Sequence, residues 1–289
     1  MWKAIADHIS QATGQPFAGD QTRSVGGGCI NRASSLSDGD RTFFVKLNQA
    51  SQVEMFAAES LALRQMYDTR TIRVPEPICW GSEGDTAYIV MEWLDLGGGR
   101  GDTEAWRQMG RNLAALHNTS CDRGFGWDRN NTIGSTPQFN DWMDNWADFF
   151  AEQRIGYQLR LAGRRGGNFG NKERIVEAVR AQLAHHQPEP ALIHGDLWSG
   201  NASITSEGTP TILDPAAYFG DREADLAMTE LFGGFPPAFY RGYEKASPLD
   251  SGYAQRKSLY NLYHVLNHFN LFGGGYASQA QRTIDRLLK

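Results

Sequence analysis

The chain has 289 residues, a formal net charge of -5 and a pI near 5.8. That length allows about two domains and a sizeable core, and the acidic balance gives no electrostatic footprint for nucleic acid or an anionic membrane. Three scattered cysteines, Cys29, Cys79 and Cys121, with no CxxC, exclude a disulfide framework and fit a reducing, cytoplasmic setting. No apolar run reaches the ~20 residues of a membrane span, and the start carries Lys3, Asp7 and His8 where a secretory signal would be apolar.

Residues 1–19 read as a short helix and a turn. "RSVGGGCINRASSLSDGDRTFFVKLN" follows as a strand, a glycine turn, a second strand, the turn "SDGD" and a third strand, "TFFVKL". "SQVEMFAAESLALRQMY" has helical spacing, and "RVPEPICWGSEGDTAYIVMEWL" gives two more strands around "SEGD". These elements predict an antiparallel sheet with one helix up to Leu94. The glycine run Gly97–Gly101 then reads as a linker. Beyond it four long segments, at 103–120, 140–162, 171–186 and 256–272, read as helices. The strands "ALIHGD" and "PTILDP" interrupt them. The expectation is a sheet lobe (1–94), a helical lobe (95–289) and a ligand cleft between them.

Asp196 and Asn201 stand five residues apart in "HGDLWSGN", the spacing of a kinase catalytic loop, and Asp214 follows the next apolar strand. Singly, each is an ordinary turn residue. In this order after short strands, they supply what phosphoryl transfer needs: a carboxylate to take the hydroxyl proton (Asp196) and hard oxygens for Mg²⁺ (Asn201, Asp214). The cation that offsets phosphate charge is read as Lys46, flanked by Phe44, Val45 and Leu47 on its strand. A buried ammonium needs an anion, and Glu59, on the apolar stripe of the next helix, supplies one. Upstream, Gly26, Gly27 and Gly28 do not match GxGxxG. Their place between two strands still suits a phosphate-covering loop.

"HGDLWSGN", "ILDPAAYFGDREADLAM", "LYNLYHVLNHFNLFGGGY" and "GGGCINRA" with "FFVKLN" resemble the fructosamine kinase (ketosamine-3-kinase) family. The resemblance implies a two-lobed α+β fold of the protein-kinase-like, aminoglycoside phosphotransferase type. It implies ATP and Mg²⁺, and a ketosamine substrate phosphorylated on its 3-hydroxyl. By it, Lys46 binds phosphates, Glu59 positions Lys46, Asp196 is the base, Asn201 and Asp214 hold magnesium, and the backbone of Met91, Glu92, Trp93 and Leu94 meets adenine. Trp198, two residues past Asp196, offers a π face to the substrate ammonium. His194 braces the loop, and Asp225 either anchors it or caps a helix. His264 and His268 have zinc-capable i, i+4 spacing, but Val265 replaces the glutamate of HExxH; packing, or a substrate wall at His268, is favoured. Family members often carry a cysteine where Cys29 stands, which suggests a redox-linked dimer. Gly195 replaces the arginine of protein kinases, so activity without prior phosphorylation is expected. Two other functions fit less well: an aminoglycoside- or choline-type phosphotransferase, and an inactive nucleotide-binding regulator.

Overall fold

A computed structural model describes residues 1–26, 31–97 and 102–289. The chain forms two compact units: Met1–Ala105 with Ser203–Pro215, and Trp106–Ala202 with Ala216–Lys289. The sequence reading placed a single boundary at residue 94. The first unit instead runs on to Ala105 and recruits a later segment, which main-chain bonds fasten in place. The Gly97 N–H donates to the Ile204 carbonyl (3.2 Å), Ser206 to Asp95 (2.9 Å) and Ile212 to Arg73 (3.0 Å).

The first unit is built on five antiparallel strands, β1 (Gln21–Val25), β2 (Arg32–Ser37), β3 (Thr42–Gln49), β4 (Pro77–Glu83) and β5 (Thr86–Glu92), in spatial order β1-β2-β3-β5-β4. Alternation along β3 sends Phe43, Val45 and Leu47 into a core with Ile5 and Ile9 of helix α1 (Trp2–Thr13). Burying each such side chain contributes about 1.5–3 kcal/mol. The same alternation leaves Lys46 on the opposite face, where helix α2 (Val53–Thr69) packs against β4 and β5. The returning segment contributes the hairpin β9 (Ala202–Ile204) and β10 (Pro210–Ile212).

The second unit is mainly helical: α3 (Thr103–His117), α4 (Trp146–Phe149), α5 (Tyr157–Arg164), α6 (Lys172–Leu183), α7 (Arg222–Leu231), α8 (Pro237–Ala246), α9 (Tyr253–Phe272) and α10 (Tyr276–Leu287). Two small antiparallel pairs complete it, the hairpin β6 (Asn131–Ile133)–β7 (Thr136–Gln138) and β8 (Ala191–Ile193) with β11 (Tyr218–Gly220). The helix expected over 140–162 starts only at Trp146. The preceding residues are drawn into extended pairing, with Phe125 and Met143 exchanging both main-chain bonds and Trp127 donating to the Asn140 carbonyl. Residues Phe150–Gly156 then wind as a π-helix between α4 and α5. Among the described residues no helix is long and apolar enough to cross a membrane.

Helices α3 and α8 touch backbone to backbone. A Cβ added at Gly110 would lie 2.1 Å from the Phe239 carbonyl oxygen, and one at Gly242 would lie 2.1 Å from that of Arg107. Neither neighbour is a side chain that can turn aside. Gly110→Ala is therefore expected to destabilise the protein by about 2 kcal/mol or more, despite alanine's better helix propensity. Chemical denaturation would show it; an unchanged midpoint would contradict this packing.

Candidate active site

In the first unit, β3 and α2 bring two opposite charges together in the interior. Lys46 Nζ lies 2.6 Å from Glu59 Oε1 and 2.6 Å from Asp214 Oδ1. Lys46 is only 7% exposed. Burial disfavours its charged form, but the charges and hydrogen bonds of Asp214 and Glu59 outweigh that and raise its pKa above the ordinary lysine value. Burial, and then the like charge of Asp214, push the Glu59 carboxyl up against the opposing pull of Lys46. One ammonium thus serves two carboxylates. The two differ in setting: Glu59 is enclosed, whereas the Asp214 side chain is 52% exposed. Asp214 also has φ +56°, in the left-handed region that a non-glycine residue rarely adopts and that recurs at ligand sites.

In the second unit, β8 delivers the loop His194–Asn201. Its shape is fixed from one side by Asp225, inside α7, whose Oδ2 accepts the His194 N–H (2.6 Å) and whose Oδ1 accepts the Gly195 N–H (2.8 Å). The cap of α7 is Asp221, not Asp225. His117 Nε2 lies 3.1 Å from Asp225 Oδ2, and its Nδ1 lies 2.8 Å from the Tyr243 hydroxyl. Burial pushes the Asp225 carboxyl up, but the hydrogen bond and charge of His117, with His194, hold it below the usual carboxylate range. Gly195 has φ +81°, and a Cβ there would meet the Ala216 carbonyl oxygen at 2.2 Å, so the arginine of protein kinases has no room at this position. The Asp196 N–H reaches His194 Nδ1 at 3.3 Å.

Asn201 Nδ2 donates to the Asp196 carbonyl oxygen (2.9 Å) and approaches its Oδ2 (3.3 Å). With Nδ2 engaged, the carboxamide oxygen is the atom that can serve a metal. An amide oxygen in the second unit and a half-exposed carboxylate in the first are each hard donors of the kind Mg²⁺ prefers.

Trp198 is 39% exposed, with its ring over Gly200, where a Cβ would lie 2.3 Å from the indole. Its edge meets Phe232 (6.4 Å between centroids), and Phe232 in turn meets His268 (4.7 Å). Phe232 opens "FGGFP", a stretch that resembles the family, but a single aromatic after a helix has no pattern that assigns it a role. His268 Nδ1 bonds the His264 carbonyl (2.8 Å), and His264 is buried with its pKa pushed down to about 3, chiefly by burial. The pair is not set up as a zinc site. A different trio, His186, Asp221 and Glu223, is close enough to hold a cation, but internal donors already account for it: His186 and Tyr260 to Asp221, and Arg256 Nε and Nη2 to Glu223.

Met91 and Glu92 end β5 and are paired on both sides. The Glu92 N–H donates to the Glu76 carbonyl (2.9 Å), so a base could use only groups from the Glu92 carbonyl onward, toward Trp93 and Leu94. Gly26 is described at the end of β1, whereas Gly27, Gly28 and Cys29 lie outside the described residues.

The architecture is that of the protein-kinase-like phosphotransferases. A thermostable mutant of aminoglycoside phosphotransferase APH(4)-Ia superposes with a TM-score of 0.63 over 98% of each chain, at 18% identity. A family model described as fructosamine kinase matches residues 1–289, and the chain belongs to that family. It is 59% identical over 288 residues to a "Probable ketoamine kinase" of Synechocystis sp., covering 100% of this chain and 97% of that one. It is 45% identical over 271 residues to a chloroplastic protein-ribulosamine 3-kinase of Arabidopsis thaliana, covering 92% and 82%. The crystal structure of a "Putative fructosamine-3-kinase" from Haemophilus somnus superposes with a TM-score of 0.94 at 32% identity, over 100% and 98% of the two chains. None of these supports the dimer expected through Cys29.

Proposed function

We propose that this protein transfers the γ-phosphoryl group of ATP to the 3-hydroxyl of ketosamines, the adducts of sugars with amines, as a step in deglycation. The observation that carries this reading is whole-length similarity to relatives named for ketoamine and ribulosamine phosphorylation. Asp196 takes the proton from the 3-hydroxyl as that oxygen attacks the γ-phosphorus; the bond to the β–γ bridging oxygen breaks and ADP leaves. Lys46, aligned by Glu59, offsets charge on the phosphates. Asn201 Oδ1 and the Asp214 carboxylate hold Mg²⁺, which when bound neutralises charge on the phosphate oxygens. His194 and Asp225 keep the Asp196 loop in register. Trp198 and His268 form an aromatic wall toward the substrate's secondary ammonium. The glycine loop, Gly26 to Gly28, covers the phosphates, and the backbone beyond Met91 meets adenine. The sheet unit, which extends the 1–94 lobe to Ala105 and adds residues 203–215, and the helical remainder act as the two kinase lobes, and a reducing compartment such as the cytoplasm suits the enzyme.

The test is ADP release across ribulose- and fructose-derived lysine adducts and a set of aminoglycosides, with the phosphorylated position located by NMR. Turnover on the sugar–lysine adducts, with phosphate at O3, is expected. Turnover confined to aminoglycosides, or none on any acceptor, would refute the assignment.

A further inference from the structure

Five polar side chains lie buried in the second unit with no part in the chemistry above: Asn131, Gln138, Asn140, Arg154 and Tyr263. Arg154, on the π-helix, is fully enclosed, and among the described residues no carboxylate lies within ion-pair distance of it. Its Nη1 donates to the Phe139 carbonyl (2.6 Å) and its Nη2 to Asn140 Oδ1 (2.6 Å), while its guanidinium covers the ring of Tyr218 at 4.0 Å. A guanidinium can only donate, so it fixes the direction of everything bonded to it. With Asn140 Oδ1 accepting, Asn140 Nδ2 donates to Asn131 Oδ1 (2.9 Å). Asn131 Oδ1 also accepts from Gln138 Nε2 (2.8 Å), which turns Asn131 Nδ2 to the Ala217 carbonyl (2.8 Å). The Tyr263 hydroxyl donates to Gln138 Oε1 (2.6 Å), so Gln138 Nε2 also points to the Ala216 carbonyl (3.0 Å). Every amide orientation is dictated by its donors: Arg154 sets Asn140, Tyr263 sets Gln138, and the two lines converge on Asn131 Oδ1.

The donors end on two consecutive carbonyls, those of Ala216 and Ala217, and Ala216 touches the catalytic loop. The Ala216 N–H donates to the His194 carbonyl (2.9 Å), and the Ala216 carbonyl is the group against which Gly195 packs too closely for any side chain. Movement of Ala216 must therefore carry Gly195 with it, and Gly195 is bonded directly to Asp196. Asp225 holds this loop from α7; Gln138 holds it from the β6–β7 hairpin. Fold stability alone gives little reason for the arrangement, since burying three amides and a guanidinium is costly and apolar side chains of the same volume fill cores at least as well.

On the basis of the function proposed above, we infer that the Arg154–Asn140–Asn131–Gln138 chain positions Asp196, with Gln138 the residue that clamps its loop. Gln138 is a positioning residue and touches no reacting atom. Gln138→Met removes both of its donors while keeping volume. The variant is expected to show kcat lowered about 10-fold or more, with KM for ATP within about twofold of wild type, since misplacing a reacting group costs rate rather than nucleotide affinity. Amide exchange at Gly195 and Ala216, read without nucleotide, should speed up by a similar factor of about 10. Ile5→Ala, a cavity under helix α1 in the core of the first unit, serves as a control that loses stability while keeping kcat and both exchange rates. Equal destabilisation in Gln138→Met and Ile5→Ala, with kcat and exchange at wild-type levels in both, would overturn the inference. If Gln138→Met does not fold, Tyr263→Phe, which removes only the hydroxyl that orients the amide, takes its place: faster exchange at Gly195 supports the inference, and unchanged kcat and exchange refute it. A wild-type protein inert toward every acceptor would defeat the proposed function, yet the exchange data would still decide this point.

Discussion

Replacing Asp196 with asparagine should lower kcat on a sugar–lysine adduct by about 100-fold or more, the usual consequence of losing a general base. The substitution is isosteric, and Asn201 Nδ2 approaches the carboxylate only at 3.3 Å. Asn201 Nδ2 makes its shorter bond, 2.9 Å, to the main-chain carbonyl of residue 196, and the loop's amides are held by Asp225. Nucleotide affinity should therefore stay close to wild type. ADP release and an ATP-binding titration on the same preparation check both halves. Near-normal turnover in Asp196→Asn would refute the role of this carboxylate, whatever the substrate.

Lys46→Met is expected to abolish turnover and also to destabilise the first unit by about 3–5 kcal/mol, because it strands a buried carboxylate without its cation. The loss should depend on pH in a defined direction. The folded-state pKa of Glu59 already lies above its ordinary value, from burial and the neighbouring Asp214 charge, and removing Lys46 raises it further. A carboxyl whose folded pKa is raised stabilises the fold when protonated; that contribution is full below the unfolded pKa and fades as pH rises through the folded one. The stability gap between wild type and Lys46→Met should therefore narrow as pH falls from 8 to 5, measured by denaturation midpoints. Adding Glu59→Leu should restore part of the stability and none of the activity. A gap of equal size at both pH values would show that Glu59 is not the stranded charge.

Much of this was legible in the sequence because it rests on periodicity and short spacing. Alternation in "TFFVKL" separates Lys46 from the Phe43–Val45–Leu47 face, and a carboxylate on an apolar helical stripe singles out Glu59. The Asp196–Asn201 interval belongs to one loop, so local spacing suffices there. The return of Asp214 to Lys46 across 168 positions has no periodic signature. Nor does the recruitment of residues 203–215 by the first unit, which depends on main-chain bonds available to any sequence. The aromatic segment 140–145 has a helical pattern, yet pairing with Phe125 and Trp127 overrides it, as tertiary contacts commonly override propensity. Helix α7 shows in the sequence only as a possible cap at Asp225, four residues past the true cap Asp221, and α8 and α10 follow glycine- or proline-rich turns that mask their start. Asn131, Gln138 and Asn140 were invisible because a buried amide looks, in sequence, like any surface amide.

The discontinuity of the first unit has a consequence for biosynthesis. Asp214 can reach Lys46 only after the ribosome has added the 168 positions that separate them. Until then the nascent sheet holds its lysine with a single counter-charge and lacks the closing hairpin. An isolated fragment ending at Ala105 would be frozen in that immature state, so the sheet unit should be produced with residues 203–215 supplied in trans or by circular permutation.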